Sequence, residues 1–203
     1  NTLMIACSHS GNTAETVQAA LYAQEHGASV VALTFNAGSK LDLQLPDYTS
    51  IVYEWGDGVS SRNKPEGIVL ALMNELLAQN EPDYALYEAI NNGLDKIDGI
   101  VASACKKIQN SAWLFAQAHH DAPMIYILGS GAAFSQAYAM AICSLQEMQW
   151  MDCCYVHSGE YFHGPFECTD GKTPYILMKS LGKTRALDER AEAFLAKYAG
   201  NYE

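Results

Sequence analysis

Thr2-Leu-Met-Ile-Ala-Cys7, Ser8-His-Ser-Gly-Asn-Thr13, Ala14-Glu-Thr-Val-Gln-Ala-Ala-Leu-Tyr-Ala-Gln-Glu-His26 and Ser29-Val-Val-Ala-Leu-Thr-Phe35 follow one another as four blocks of different character. The first and last are apolar runs of strand length, the pattern of strands buried on both faces. The third repeats its apolar positions at helical spacing, and Gly27 closes it. Strand, helix and strand with short joins imply parallel pairing by a right-handed crossover, so the chain is of the α/β class. The second block then occupies a helix N-terminus, and Asn12 with Glu15 three residues on fits a capping box.

Such a turn offers free backbone N–H groups and the positive end of a helix dipole. The hydroxyls of Ser8, Ser10 and Thr13 add donors, which favours a cradle for a monophosphate over a plain serine-capped turn. It is not a nucleotide P-loop, because no Gly-Lys-Ser/Thr follows.

Working outward, 36–48 reads as a connection, 50–55 as a short strand, 56–65 as a turn-rich linker and 66–79 as a helix. Residues 83–120 are helical twice over, broken at Asn91-Asn-Gly93, with Leu94, Ile97, Ile100, Val101, Ile108 and Leu114 recurring at three- and four-residue spacing and the charged residues forming a solvated face. The opening pattern then returns: Met124-Ile-Tyr-Ile-Leu128 as a buried strand, Gly129-Ser-Gly-Ala-Ala-Phe134 as a glycine-rich turn, and 135–150 as a long helix. A dinucleotide fingerprint would need a glycine where Phe134 stands, so no nucleotide cofactor is expected. Cys153-Cys-Tyr-Val156 and Thr173-Pro-Tyr-Ile-Leu-Met-Lys179 are further strands, 184–198 is an amphipathic helix, and no strand is expected after it. The organisation read from this is a first subdomain over 1–80, a helical connector over 81–121 and a second subdomain over 122–203.

A net charge of -11 without a basic stripe argues against nucleic acid as a partner. No apolar run approaches the roughly 20 residues of a membrane span, so no membrane partner is expected either. The six cysteines have no Cys-x-x-Cys spacing and sit in apolar or mixed surroundings, the usage of a reducing, cytoplasmic setting. Six scattered histidines give no ligand set, and no metal is expected.

The chemistry concentrates between Cys143 and Glu167. Glu147 stands among Ile142, Cys143, Leu145, Met148 and Trp150, and Gly159-Glu-Tyr-Phe-His-Gly-Pro165 forms a tight turn after a short strand. If the turn folds back on the helix, Glu160 and His163 come near Glu147 and pair a carboxylate with an imidazole. Apolar surroundings raise a carboxylate's pKa toward the range in which a general base works best. Glu167 reads as a rim charge, His157 as a structural histidine, and Trp55 and Trp150 as core or interface.

Ser8-His-Ser-Gly-Asn-Thr-Ala-Glu-Thr16, the Gly-Ser-Gly of the second repeat, and Glu147 sixteen residues before the His163 of Gly-Glu-x-x-His-Gly-Pro together resemble the sugar isomerase (SIS) family of phosphosugar-binding proteins. Glu147-Met-Gln-Trp150 and 157–167 look most like its fructosamine 6-phosphate deglycases, which act on fructoselysine or fructose-asparagine phosphates. The resemblance implies two SIS-type subdomains, each a parallel sheet in a three-layer α/β/α arrangement, and a chain truncated at both ends. It implies that Ser8, His9, Ser10 and Thr13 bind the sugar phosphate, that Glu147 is the base, and that His163 assists ring opening and proton shuttling. Gly11 and Glu160 are expected to support the site. No cofactor is implied; the substrate is a phosphorylated sugar–amino acid conjugate and the assembly a homodimer. An aldose–ketose or aminosugar isomerase, and a phosphosugar-sensing module without catalysis, are the competing readings.

Overall fold

The computed structural model describes residues 2–45 and 49–203, and the end of the connection expected over 36–48 lies outside them. The chain divides into two compact units, Asn1–Lys106 and Lys107–Glu203. Both hold a parallel sheet flanked by helices, the α/β class expected.

In the first unit β1 (Leu3–Cys7), β2 (Ser29–Thr34) and β3 (Ser50–Val52) pair in that order, all parallel. The middle strand is the buried one. β1 is an edge of this sheet and leaves Leu3 40% exposed, so it is not the fully enclosed strand its apolar sequence predicts. α1 (Ala14–Glu25) covers the sheet through Val17 and Ala20, which join Ala6, Val30, Ala32, Leu41 and Leu45 in one core. Burying each of these leucines contributes about 2 kcal/mol. Leu41 belongs to the single turn α2 (Lys40–Leu43).

α3 (Pro65–Asn80) starts on a proline, whose missing N–H costs nothing at that position. Its buried Asn74 donates from Nδ2 to the Tyr87 carbonyl at 3.1 Å and accepts from the Tyr84 hydroxyl at 2.6 Å, tying α3 to the start of α4 (Tyr87–His119). α4 runs without interruption through Asn91-Asn-Gly93, where the sequence predicts a break. Glycine costs a helix about 1 kcal/mol, and burial of Leu94 next to it offsets that. Residues 98–110 of α4 are all exposed.

The second unit orders its sheet β5-β4-β6-β7, again all parallel. β4 (Ile125–Gly129) lies between β5 (Cys153–His157) and β6 (Pro174–Met178). Because β4 residues alternate faces, Ile125 and Ile127 pack with Ala137, Ala141 and Cys153, while Leu128 packs with Val156, Tyr161, Tyr175, Ala191 and Leu195. The helix after β4 has three segments: α5 (Gly131–Tyr138), a π-helical stretch (Ala139–Gln146) and α6 (Glu147–Gln149). α7 (Arg185–Tyr198) is followed by a two-residue strand, β7 (Asn201–Tyr202), paired with β6. The sequence reading has no strand there, because two residues are too few to show a period.

Candidate functional site

The turn from β1 to α1 is built by its own hydroxyls. Buried Ser8 accepts the Gly11 N–H on its Oγ at 3.1 Å and lies 3.0 Å from Thr13 Oγ1, so two of the expected phosphate ligands share one hydrogen bond. Ser10 Oγ accepts the Asn12 N–H at 3.2 Å, and the Ser10 side chain is exposed. Gly11 sits at φ +65°, where a Cβ would lie 2.0 Å from Ser39 Oγ and 2.6 Å from Thr34 Oγ1. That close approach explains the glycine.

Asn12 does not cap α1. Thr13 takes the N-cap position without a side-chain bond to the helix, while Asn12 Oδ1 accepts from Lys40 N at 3.1 Å and so starts α2. The expected capping box is therefore corrected: the longer reach of Asn12 serves a neighbouring helix and leaves the first N–H groups of α1 without a side-chain cap. Ser39 Oγ is buried and has no hydrogen-bond partner among the described residues, and it lies against Gly11.

His9 turns toward aromatic residues that follow the other strands. Its ring stacks on Phe35 at 5.0 Å, meets Trp55 edge-on at 5.3 Å, and its Nδ1 is 3.0 Å from the Tyr53 hydroxyl. Burial pushes the Tyr53 hydroxyl pKa up, with Cys7 and Glu66 adding to it. The Lys64 ammonium stands 5.5 Å from the Trp55 ring, and Trp55 is 49% exposed rather than core. Beyond β1, a mostly apolar groove of about 500 Å³ is lined by Cys7, Pro65, Glu66, Val69, Leu70 and Met73. Burial, then Glu66, pushes the Cys7 thiol pKa up.

In the second unit Glu147 opens α6 directly after the π-helical stretch and is exposed. The apolar enclosure predicted for it is absent among the described residues, since Met148 is 69% and Trp150 90% exposed beside it. Trp150 ends the helix in the left-handed conformation at φ 56°, which turns the chain sharply toward β5. Trp150 is thus not a core residue.

The turn carrying Glu160 and His163 is anchored from below. Tyr161 is fully buried with its hydroxyl bonded to Thr169, and Phe162 packs on Phe166 and Phe194 with the Arg190 guanidinium 3.9 Å from its ring. Glu160 and His163, on either side of these anchors, are exposed. No hydrogen bond or ion pair joins Glu147 to Glu160 or His163 among the described residues. His157 is engaged locally, its Nδ1 accepting from Gly159 N at 3.1 Å.

Sequence reasoning missed Asp188. Its carboxylate is fully buried and accepts from Ser130 Oγ at 2.7 Å, Ser158 Oγ at 2.6 Å and Ser180 N at 2.8 Å. The signal was there: Asp188 shares a helix face with Ala191 and Leu195, where an amphipathic pattern calls for an apolar side chain.

No group of three or more His, Cys, Asp or Glu is placed to hold a metal ion, and no helix is long and apolar enough to cross a membrane, among the described residues.

Residues 1–50 match the family described as SIS domain. The chain is 41% identical to fructosamine deglycase FrlB of Bacillus subtilis over 97% of its own length and 59% of that protein's. It is 32% identical to the fructoselysine 6-phosphate deglycase of Escherichia coli over 39% of its length and 23% of the other's. Among solved structures, a Bacillus subtilis protein ascribed to the phosphosugar isomerases superposes with TM-score 0.93 at 39% identity, covering 98% of this chain and 60% of that one. A Salmonella typhimurium protein of the same description gives TM-score 0.94 at 38% identity, covering 100% and 61%. The chain thus spans about 60% of the length of the Bacillus subtilis and Salmonella typhimurium proteins.

Proposed function

From a chain of SIS type in sequence and fold, we propose that the protein is a phosphosugar enzyme, and specifically a deglycase that splits a fructosamine 6-phosphate into glucose 6-phosphate and a free amino acid. The observation that carries this reading is the β1–α1 turn, with its uncapped helix N-terminus and clustered hydroxyls, in a chain 41% identical to a fructosamine deglycase.

Ser8, His9, Ser10 and Thr13 hold the substrate's phosphate, as N–H groups and hydroxyls at a helix N-terminus hold oxyanions generally. Gly11 supports them by letting the backbone pass close to Ser39. In the open-chain ketose C1 lies between the amino group and the C2 carbonyl, so its protons are acidic. Glu147 removes one, giving an enaminol; a proton returned to C2 gives the aldimine between C1 and nitrogen. Water adds at C1, the C–N bond breaks, and the amino acid leaves with glucose 6-phosphate. His163 assists ring opening and moves protons on oxygen, and Glu160 supports its turn.

A homodimer belongs to the proposal. Met148 and Trp150 are exposed next to Glu147, and a second copy covering them would exclude water from the carboxylate. So does the division into 1–80, 81–121 and 122–203, with α4 in the connector, and a cytoplasmic setting, in keeping with six free cysteines. No cofactor enters any step.

The test couples glucose 6-phosphate formation from fructoselysine and fructose-asparagine 6-phosphates to a dehydrogenase, in the parent protein and in Glu147→Gln. Release that collapses in the variant while phosphosugar binding persists supports the deglycase and its base. Conversion of a simple ketose phosphate without amino-acid release moves the protein to the isomerases, and binding without turnover to the sensing modules.

A further inference from the structure

Both strand–turn–helix motifs carry a glycine at positive φ, though the first turn is longer than the second. Gly131, like Gly11, has positive φ (+51° against +65°) and runs so close to a later loop that a Cβ would lie 3.0 Å from Ser180 Oγ, as one on Gly11 would meet Ser39 Oγ. In the second motif the donors converge on a carboxylate. Ser130 follows β4, Ser158 follows β5 and Ser180 lies just beyond β6, so three strand ends aim a hydroxyl, a hydroxyl and a backbone N–H at Asp188. Ser130 is also the N-cap position of α5, and Asp188 lies in the first turn of α7, so two helix N-termini flank the same group. Ser130 Oγ has a second acceptor in reach, the Thr184 carbonyl at 3.2 Å, and Ser180 N–H can only donate.

We propose that the β4–α5 turn is an anion-binding cradle whose resident anion is the chain's own Asp188 carboxylate. Its chemical class of ligand is a small carboxylate, held by three donors at the C-terminal edge of the sheet, and the tether to α7 fills it permanently. The second glycine-rich turn is therefore closed to sugar phosphates, and the carboxylate locks the ends of β4, β5 and β6 together. Through Ser158 it also fixes the start of the turn that leads to Glu160 and His163. This inference stands apart from the deglycase reading, because its test measures folding and not turnover.

The experiment replaces the tethered anion by a free one. Asp188→Gly leaves room for formate, and its melting temperature is expected to fall by roughly 10 °C, the scale of removing one partner from a buried charged network. Added sodium formate raises it again and saturates, whereas sodium chloride at equal ionic strength and neutral formamide do not, and the parent protein responds to none of them differently. No fall in melting temperature, no recovery in formate, or equal recovery in formamide overturns the proposal. If the glycine variant fails to fold, Asp188→Asn decides: it keeps the shape without the charge and is expected to melt below the parent, and a melting temperature equal to the parent's overturns the proposal.

Discussion

Two turns that each lead from a strand into a helix do opposite things with their hydrogen-bond donors. After β1, Ser8 and Thr13 bond to each other and the nearby Ser39 Oγ has no partner among the described residues; after β4, the Ser130 and Ser158 hydroxyls and the Ser180 backbone N–H all serve Asp188. One turn keeps donors in reserve and the other has spent them on an internal carboxylate. The lesson is that a glycine-rich turn before a helix makes a site only if no side chain of the same chain completes it first. The residues proposed to react in the second unit sit elsewhere, on exposed Glu147 and His163.

The contrast can be broken most severely at Glu147. If the first unit binds and the second reacts, Glu147→Gln lowers kcat by roughly 10³-fold, the usual weight of a general base, and leaves the affinity for inorganic phosphate unchanged in calorimetry. Equal losses in both quantities would erase the division of labour. Next come the two glycines. Gly11→Ala is expected to cost about 3 kcal/mol in urea unfolding, because Ser39 Cβ as well as Oγ stands in the way at 2.4 Å, and Gly131→Ala nearer 1.5 kcal/mol, since Thr184 and Ser180 hydroxyls can rotate aside.

A third test uses alkali. Burial, above all, raises the Tyr175 pKa to about 12. A folded pKa above the unfolded value means stability that is complete below about pH 10 and lost as pH climbs toward 12, at most about 3 kcal/mol. Phenolate absorbance should show a step near pH 12 among the late-titrating tyrosines, and Tyr175→Phe should remove that step. Smallest is Ser10→Ala, which removes one exposed hydroxyl and should weaken phosphate binding roughly five-fold without altering the melting temperature.

What the sequence shows and hides follows from what each element depends on. β1, α1, β2 and the turn between them are legible because apolar period and glycine position are local signals, and the same holds for β4 and α7. The unbroken α4 is not, since Asn91-Asn-Gly93 reads locally as a stop and only the burial of Leu94 tips it. Nor is the π-helical stretch before Glu147, which differs from an α-helix by its hydrogen bonding and not by composition. Asn12 reads as a cap of the nearer helix because its partner, Lys40, lies 28 residues on. Of the candidate site, the strand–turn–helix around Ser8–Thr13 could be read from motif spacing, and the same spacing singles out Glu147 and His163 as proposed reacting groups. The exposure of both, and Asp188 at the crossing of three strand ends, depend on packing that no single stretch encodes.

All three tryptophans of the chain lie at the surface, Trp55 at 49%, Trp113 at 63% and Trp150 at 90% exposure. Their emission therefore starts from a solvent-relaxed state in the folded protein, and unfolding has little polarity change left to report. Covering a surface has much more. The intrinsic fluorescence of this protein is a gauge of docking: a blue shift on concentration, lost in Trp150→Phe, would place the covered surface beside Glu147, while calorimetry is the method that follows folding.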